Sequence, residues 1–249
     1  MPTDRVEFLG VGFDPLTMRE VLDRMAAVTS ESPYGYVVTP NVDHVVRLDT
    51  APDREQLLPL YEGAEISVCD SRVIQKLASL NGLHLPLVAG SDLTVRMFQE
   101  VIRPGDRIAI VGGSTELLND LEAHYPELEF ILYDAPMGLR RDATARREAA
   151  SFIAKAKARF IFIAVGSPQQ EMVAGVVRDF PEARGMALCI GASLEFITGS
   201  QRRAPRILQQ LSLEWAYRLA SDPARLWRRY LVEGPNVFRM ALRERRRKH

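Results

Sequence analysis

Residues 159–171 read RFIFIAVGSPQQE, and this stretch decides the fold. Six apolar residues follow Arg159 without the polar alternation of a half-buried strand. They are far short of the roughly 20 that cross a bilayer. An apolar run of this length, closed by glycine, reads as a strand covered on both faces. The turn Gly166-Ser167-Pro168 then leads into QQEMVAGVVRDF, with apolar residues three and four apart. Strand, tight turn and helix form the half-unit of a parallel sheet.

Working outward, the same unit recurs. Strand candidates are VEFLGVG, YGYVVT, EISVCD, RIAIVG, EFILYD, RFIFIAVG and MALCIG. Helical periodicity marks TMREVLDRMAAV, SRVIQKLASL, DLTVRMFQEVI, TELLNDLEAHY and ATARREAASFIAKAKA between them. The alternation predicts an α/β, doubly wound, mainly parallel Rossmann-like sheet, with the later, nearly all-apolar strands at its centre. Residues 1–200 are assigned to this catalytic unit and 201–249 to a helical, basic appendage. There Asp222 reads as an N-cap, Pro223 as a first helical residue and Gly234-Pro235 as a stop.

The 249 residues, 47% hydrophobic and 26% charged, suffice for a full core. Their formal net charge is zero, yet from Arg202 onward thirteen Lys and Arg stand against four acids. The first 201 residues are acidic by the same margin. Such a split points to an anionic partner: a membrane surface, a phosphorylated substrate or nucleic acid. Nucleic acid is disfavoured, because the tail RERRRKH lacks interleaved aromatics and its apolar flank of Val237, Phe238, Ala241 and Leu242 has no role there. Read beside that flank, the tail is a membrane-surface segment; read alone, it is a solvated end. No secretion signal is evident at the start. Cys69 and Cys189 lie in apolar runs without metal spacing and read as buried thiols of a reducing cytosol.

Ligands of such sheets bind beyond the carboxyl ends of the strands. There stand Thr39, Asn41 and Asp43, then Asp70, then Gly112 and Gly113, then Gly166 with Gln170 and Glu171, then Gly191 with Glu195. Any one glycine turn reads equally well as a plain strand-to-helix connection. Gly112 and Gly113 precede a helix start whose amides suit a diphosphate. Asp70 reads either as a base or as the N-cap of a helix over 71–80. His44 reads as structural, and Trp215 and Trp227 as packing anchors or, for the latter, a sugar platform.

Several chemistries drop out. GVGFDP has Pro15 where a dinucleotide fingerprint needs its third glycine. There is no P-loop, no G-x-S-x-G elbow, and His44, His84, His124 and His249 lack ligand spacing. No D-x-D pattern exists to hold a divalent cation on a nucleotide sugar, so a departing diphosphate needs protein donors, for which the arginine fork is suited.

TPNVDHVVRL, CDSRVIQKLA, LVAGSDL, IVGGS, VGSPQQE, GASLEFITGSQRRAP and LSLEWAYRLASDPARLWRRYL run in the order and spacing of the WecG/TagA/CpsF glycosyltransferases (glycosyltransferase family 26). The resemblance covers about residues 6 to 233. It implies inverting, metal-independent transfer, without a cofactor, from a UDP-sugar to a polyprenyl-diphosphate-linked sugar acceptor. The implied place is the cytoplasmic face of the cell membrane, in exopolysaccharide or cell-surface glycan synthesis. A non-catalytic nucleotide-sugar or anionic-lipid binding protein on this fold is the alternative, and homo-oligomerisation stays open. By resemblance Asp70 is the general base; Thr39, Asn41, Gln170 and Glu171 are pocket residues; Arg218, Arg225 and Arg228 are appendage arginines that complete the site beside the membrane. The chain departs from the family pattern at Ser71, Leu87, Ala192 and Glu195, where glycine, arginine, glycine and aspartate are usual. These departures leave the donor open between an N-acetylmannosamine type and a hexose such as glucose.

Overall fold

The computed structural model describes residues 4–199, 208 and 214–247. Six parallel strands form one sheet in the order β4-β3-β8-β7-β5-β6. They are β3 (Gly35–Val38), β4 (Ile66–Ser67), β5 (Arg107–Val111), β6 (Glu129–Tyr133), β7 (Phe160–Ile163) and β8 (Met186–Cys189). The doubly wound expectation holds. One strand candidate does not: VEFLGVG folds as a separate antiparallel hairpin, β1 (Val6–Phe8) with β2 (Val11–Phe13), turning at Leu9 and Gly10, which both have positive φ.

Side chains along each strand alternate between two cores, which is why the strands are apolar throughout. From β7, Phe160 and Phe162 enter one core with Val37, Ile108, Ile110 and Leu188; Ile161 and Ile163 enter the other with Val38, Ala109, Ala187 and Cys189. All four β7 residues are fully buried, and each such side chain contributes about 1.5–3 kcal/mol. The first core is closed by α1 (Met18–Ala26), α5 (Gly90–Arg96) and α6 (Thr115–His124), with Phe98 stacked 5.5 Å from Phe162. The second is closed by α2 (Val42–Thr50), α3 (Arg54–Glu62), α4 (Arg72–Leu80), α7 (Ala143–Lys155) and α8 (Gln169–Val177). Small residues on both sides of that layer, Ala109 and Ala187 against Ala149, Ala150 and Ala154, let α7 lie close on the sheet.

Arg159, which opens β7, is buried at the opposite end of the sheet from the candidate site. Its guanidinium pairs with Asp106 at 2.7 Å and donates to the Val28 carbonyl at 2.8 Å. The C-terminal helices are α9 (Glu214–Ser221), α10 (Pro223–Trp227), a π-helical stretch over Arg228–Glu233, and α11 (Asn236–Arg247). Helix α10 starts at Pro223, as expected from the sequence. The sequence RAPRILQQLSLEWAYRLAS, residues 203–221, reads as one helix; α9 forms its second half, and of residues 203–213 only Leu208 is described. Helix α11 packs on α2 and α4. Its expected apolar flank is split: Val237 and Ala241, with Met240, are buried in the second core, whereas Phe238 and Leu242 face outward.

Candidate active site

The sheet order fixes the order of the candidate groups along its carboxyl edge. Asp70 follows β4, Thr39 and Asn41 follow β3, Gly191 follows β8, Gly166 and Gln170 follow β7, and Gly112 with Gly113 follow β5. The edge therefore gathers Asp70, Thr39 and Asn41 at one end and Gly112–Gly113 at the other. Strands β4 and β5 are four positions apart, about 19 Å at the usual spacing.

Asp70 is held from two sides. Its backbone N–H donates to the Pro40 carbonyl at 3.1 Å, and its Oδ1 accepts from the Gly90 N–H at 3.2 Å. Helix α4 is capped by Ser71, whose Oγ accepts from the Ile74 N–H at 3.3 Å. The cap assigned to Asp70 as an alternative thus belongs to Ser71, and the carboxylate instead reaches across to the start of α5. Thr39, buried after β3, rests on the same start: a Cβ at Gly90 would lie 3.0 Å from Thr39 Oγ1. Leu87 runs alongside Cys69 and so adjoins Asp70. Glu195 lies half-buried on the 3-10 helix Gly191–Phe196, which packs against α5.

Asn41 caps α2: its Oδ1 accepts from the Asp43 N–H at 3.1 Å, while its own N–H donates to His44 Nδ1 at 3.4 Å. That bond explains the buried His44 as structural and leaves its second ring nitrogen as the proton carrier when neutral. Burial pulls the His44 pKa below the ordinary imidazole value, against the opposing pull of Glu171 and Asp43.

Gln170 and Glu171 open α8, and neither lies on the surface: they are 3% and 0% exposed. Gln170 Oε1 accepts from the Gly191 N–H at 2.8 Å, and its Nε2 donates to Glu171 Oε1 at 2.9 Å. The amide ties the loop after β7 to the loop after β8 and has one Nε2 hydrogen beyond that pair of bonds. Glu171 Oε2 has no hydrogen-bond partner among the described residues. This buried carboxylate also helps raise the pKa values of Tyr61 and Cys189 well above their usual ranges, second to burial in both cases.

Gly112 and Gly113 both have positive φ, and a Cβ on Gly112 would stand 2.6 Å from Val165 Cγ1. Only glycine allows this close crossing of the loops after β5 and β7. Ser114 caps α6 through the Leu117 N–H at 3.3 Å. Gly166, also at positive φ, has open space around its Cα.

Of the appendage arginines, Arg218 lies in α9 and Arg225 in α10, with side chains outside the described residues. Arg228 is turned outward, with its side chain 75% exposed and paired to Glu233 at 3.2 Å. Among the described appendage side chains, Arg229 reaches the start of α2, 3.2 Å from Asp43 Oδ1. Sequence analysis passed over it because the family resemblance names Arg228, while i+3 and i+4 spacing from Arg225 admits Arg228 and Arg229 alike. The chain leaves α-helical phase at this point: the Gly234 N–H donates to the Arg229 carbonyl at 2.8 Å, an i to i+5 bond that widens the turn. Trp227 is about half exposed and Trp215 somewhat less, its ring 6.2 Å from Tyr230.

A carboxylate braced at a sheet's carboxyl edge, near the buried hydroxyl of Thr39, suits proton abstraction from a bound hydroxyl. Residues 6–249 match the model of the Glycosyl transferase WecG/TagA/CpsF family, nearly the whole chain, and the protein belongs to that family. It is therefore a glycosyltransferase.

Proposed function

We propose that the protein transfers a sugar from a UDP-sugar to a polyprenyl-diphosphate-linked saccharide, with inversion and without a metal ion. The carrying observation is the Asp70 carboxylate, held by the Gly90 N–H next to Thr39 at one end of the strand edge. In this reading the acceptor hydroxyl oxygen attacks the anomeric carbon as its proton passes to Asp70. The bond from that carbon to the β-phosphate oxygen breaks, and the electron pair leaves with UDP.

The leaving β-phosphate is joined to the anomeric carbon through one oxygen, so its donors must lie near Asp70. The start of α6, about 19 Å along the edge, is then suited to the nucleoside half rather than to the diphosphate. Asn41, after the neighbouring strand β3, and Gln170, after β7, lie nearer along the edge. The sequence supports metal independence through its lack of D-x-D.

Attachment to the cytoplasmic membrane face is supported by the outward side of the C-terminal helices. Trp227, Leu231, Val232, Phe238 and Leu242 are each more than half exposed, and Arg239, Arg245 and Arg246 are exposed among them. Apolar and cationic groups together suit an anionic leaflet. No helix among the described residues is long and apolar enough to cross a membrane.

The test is UDP release from a panel of UDP-sugars, with and without a short polyprenyl-diphosphate-linked sugar, in the presence of a chelator. Acceptor-dependent release from one donor supports the transferase and names its sugar. UDP binding without turnover of any donor, across several acceptors, would favour the binding-protein alternative.

A further inference from the structure

We propose that Asp43 and Arg229 form a clasp that positions the C-terminal helices over the carboxyl end of β3, and that both are positioning residues for the transfer; this rests on the reading of the site given above. Asp43 sits in the first turn of α2, two residues after the Asn41 cap. Its side chain is only 12% exposed and meets two guanidinium groups, Arg47 on its own helix and Arg229 from the π-helical stretch at 3.2 Å. Arg47 also donates to Ser167 Oγ at 2.9 Å, and Ser167 lies 3.4 Å from the Tyr61 hydroxyl. One carboxylate thus joins α2, the loop after β7 that leads to Gln170, and the appendage.

Two other ion pairs among the described appendage residues differ in kind. Arg243 meets Asp49 at 3.7 Å with its side chain 68% exposed, and Arg228 pairs within its own turn. Exposed pairs of this sort hold little, whereas the Asp43–Arg229 contact, with side chains 12% and 37% exposed, is less screened and holds by charge, Arg229 Nε making no hydrogen bond among the described residues. Val237, Met240 and Ala241 add an apolar, undirected hold. Apolar packing fixes that α11 docks; the Asp43 carboxylate fixes the rotation and height of the segment just before it. Arg228 is the neighbour of Arg229, and α10 with Arg225 ends one residue before Arg228. Setting Arg229 therefore sets where the backbone offers those arginines to an anionic substrate. Arg229 acts through this placement, its Nε facing Asp43 Oδ1 at 3.2 Å as a charge contact.

The test uses the full-length protein with Asp43→Asn, Arg229→Gln, the double variant, and Arg243→Gln as a control outside the clasp. Hydrogen exchange is followed in residues 228–247 and, as a check on folding, in β7 and β8. Each single clasp variant should speed exchange in 228–247 about tenfold while the strands stay protected. Acceptor-dependent kcat/KM should fall about tenfold or more, with UDP affinity within about twofold of wild type. The double variant should be no worse than the poorer single one, as expected of partners in one interaction. Arg229→Lys should recover part of the loss, and Arg243→Gln should stay within about twofold of wild type on both readouts. Wild-type exchange in both single variants, multiplying losses in the double variant, or a parallel loss of UDP affinity would each overturn the clasp. If wild type turns over no donor, the transferase reading has failed and exchange alone decides the clasp.

Discussion

Replacing Asp70 by Asn exchanges one oxygen for an amide nitrogen and leaves an acceptor for the Gly90 N–H, which Oδ1 engages at 3.2 Å. The bond changes from charge-assisted to neutral, a loss of about 1 kcal/mol. For a chain of this length that lowers Tm by about 2–4 °C, so the variant should fold. The capacity to take a proton is gone, however, and general-base assistance commonly supplies about 10²–10⁴ in rate. Acceptor-dependent UDP release should therefore drop by about that factor, while UDP affinity by calorimetry stays within about threefold of wild type. Transfer at the wild-type rate would remove Asp70 from the base role. An equal loss of UDP affinity would make it a donor-binding residue instead.

Glu171→Gln keeps an acceptor for Gln170 Nε2 and removes a buried charge with one unbonded oxygen, so urea stability should hold or rise; Glu171→Ala should lose about 2–3 kcal/mol from the cavity and the freed amide. A glutamine variant as unstable as the alanine one would show that the charge itself is needed. His44 is held below its unfolded value of 6.5 by burial. As pH falls below about 6.5 the unfolded chain takes the proton first, so stability declines with a limiting slope of about 1.4 kcal/mol per pH unit. The difference between wild type and His44→Gln should be flat above pH 7 and slope below 6.5; parallel pH courses would contradict this. Burial pushes the Cys69 thiol up to about 12 and Cys189 well above its usual range. A maleimide at pH 8 should label neither thiol in the native protein and both in urea, and native labelling of either would refute their burial.

The sheet was legible because two-sided burial leaves its mark in each strand: nothing polar interrupts Phe160–Ile163 or Met186–Cys189. The first strand candidate failed for an equally local reason. Leu9 adopts φ 56°, a conformation rare for a branched side chain, so nothing in FLGV announces a hairpin turn. Helix α3, which carries Pro59 in its interior, is absent from the helical candidates read from the sequence. Asp70, Thr39 and Gln170 could be found because each follows a strand closely, where ligands of this fold bind. That Gln170 is occupied by Gly191 could not be found, since it depends on β7 lying beside β8. Arg229 was missed because the resemblance points to its neighbour Arg228, and which of the two meets Asp43 depends on how the appendage docks on α2.

The pairing of β3 with β8 has a bearing on synthesis. Gly35 aligns with Met186, about 150 residues further along the chain. At about 5–20 residues per second, a ribosome takes about 8–30 s to deliver the second after the first. Through that interval β3, whose Tyr36, Val37 and Val38 are fully buried in the finished fold, has β4 on one flank and an unpaired edge on the other. The half of the molecule that carries Thr39 and Asp70 therefore waits, with an apolar edge exposed, for the strand that ends beside Gln170. Chaperone engagement of nascent chains should be heaviest between the emergence of β4 and the emergence of β8, and the edge of β3 is among the last features of the fold to be covered.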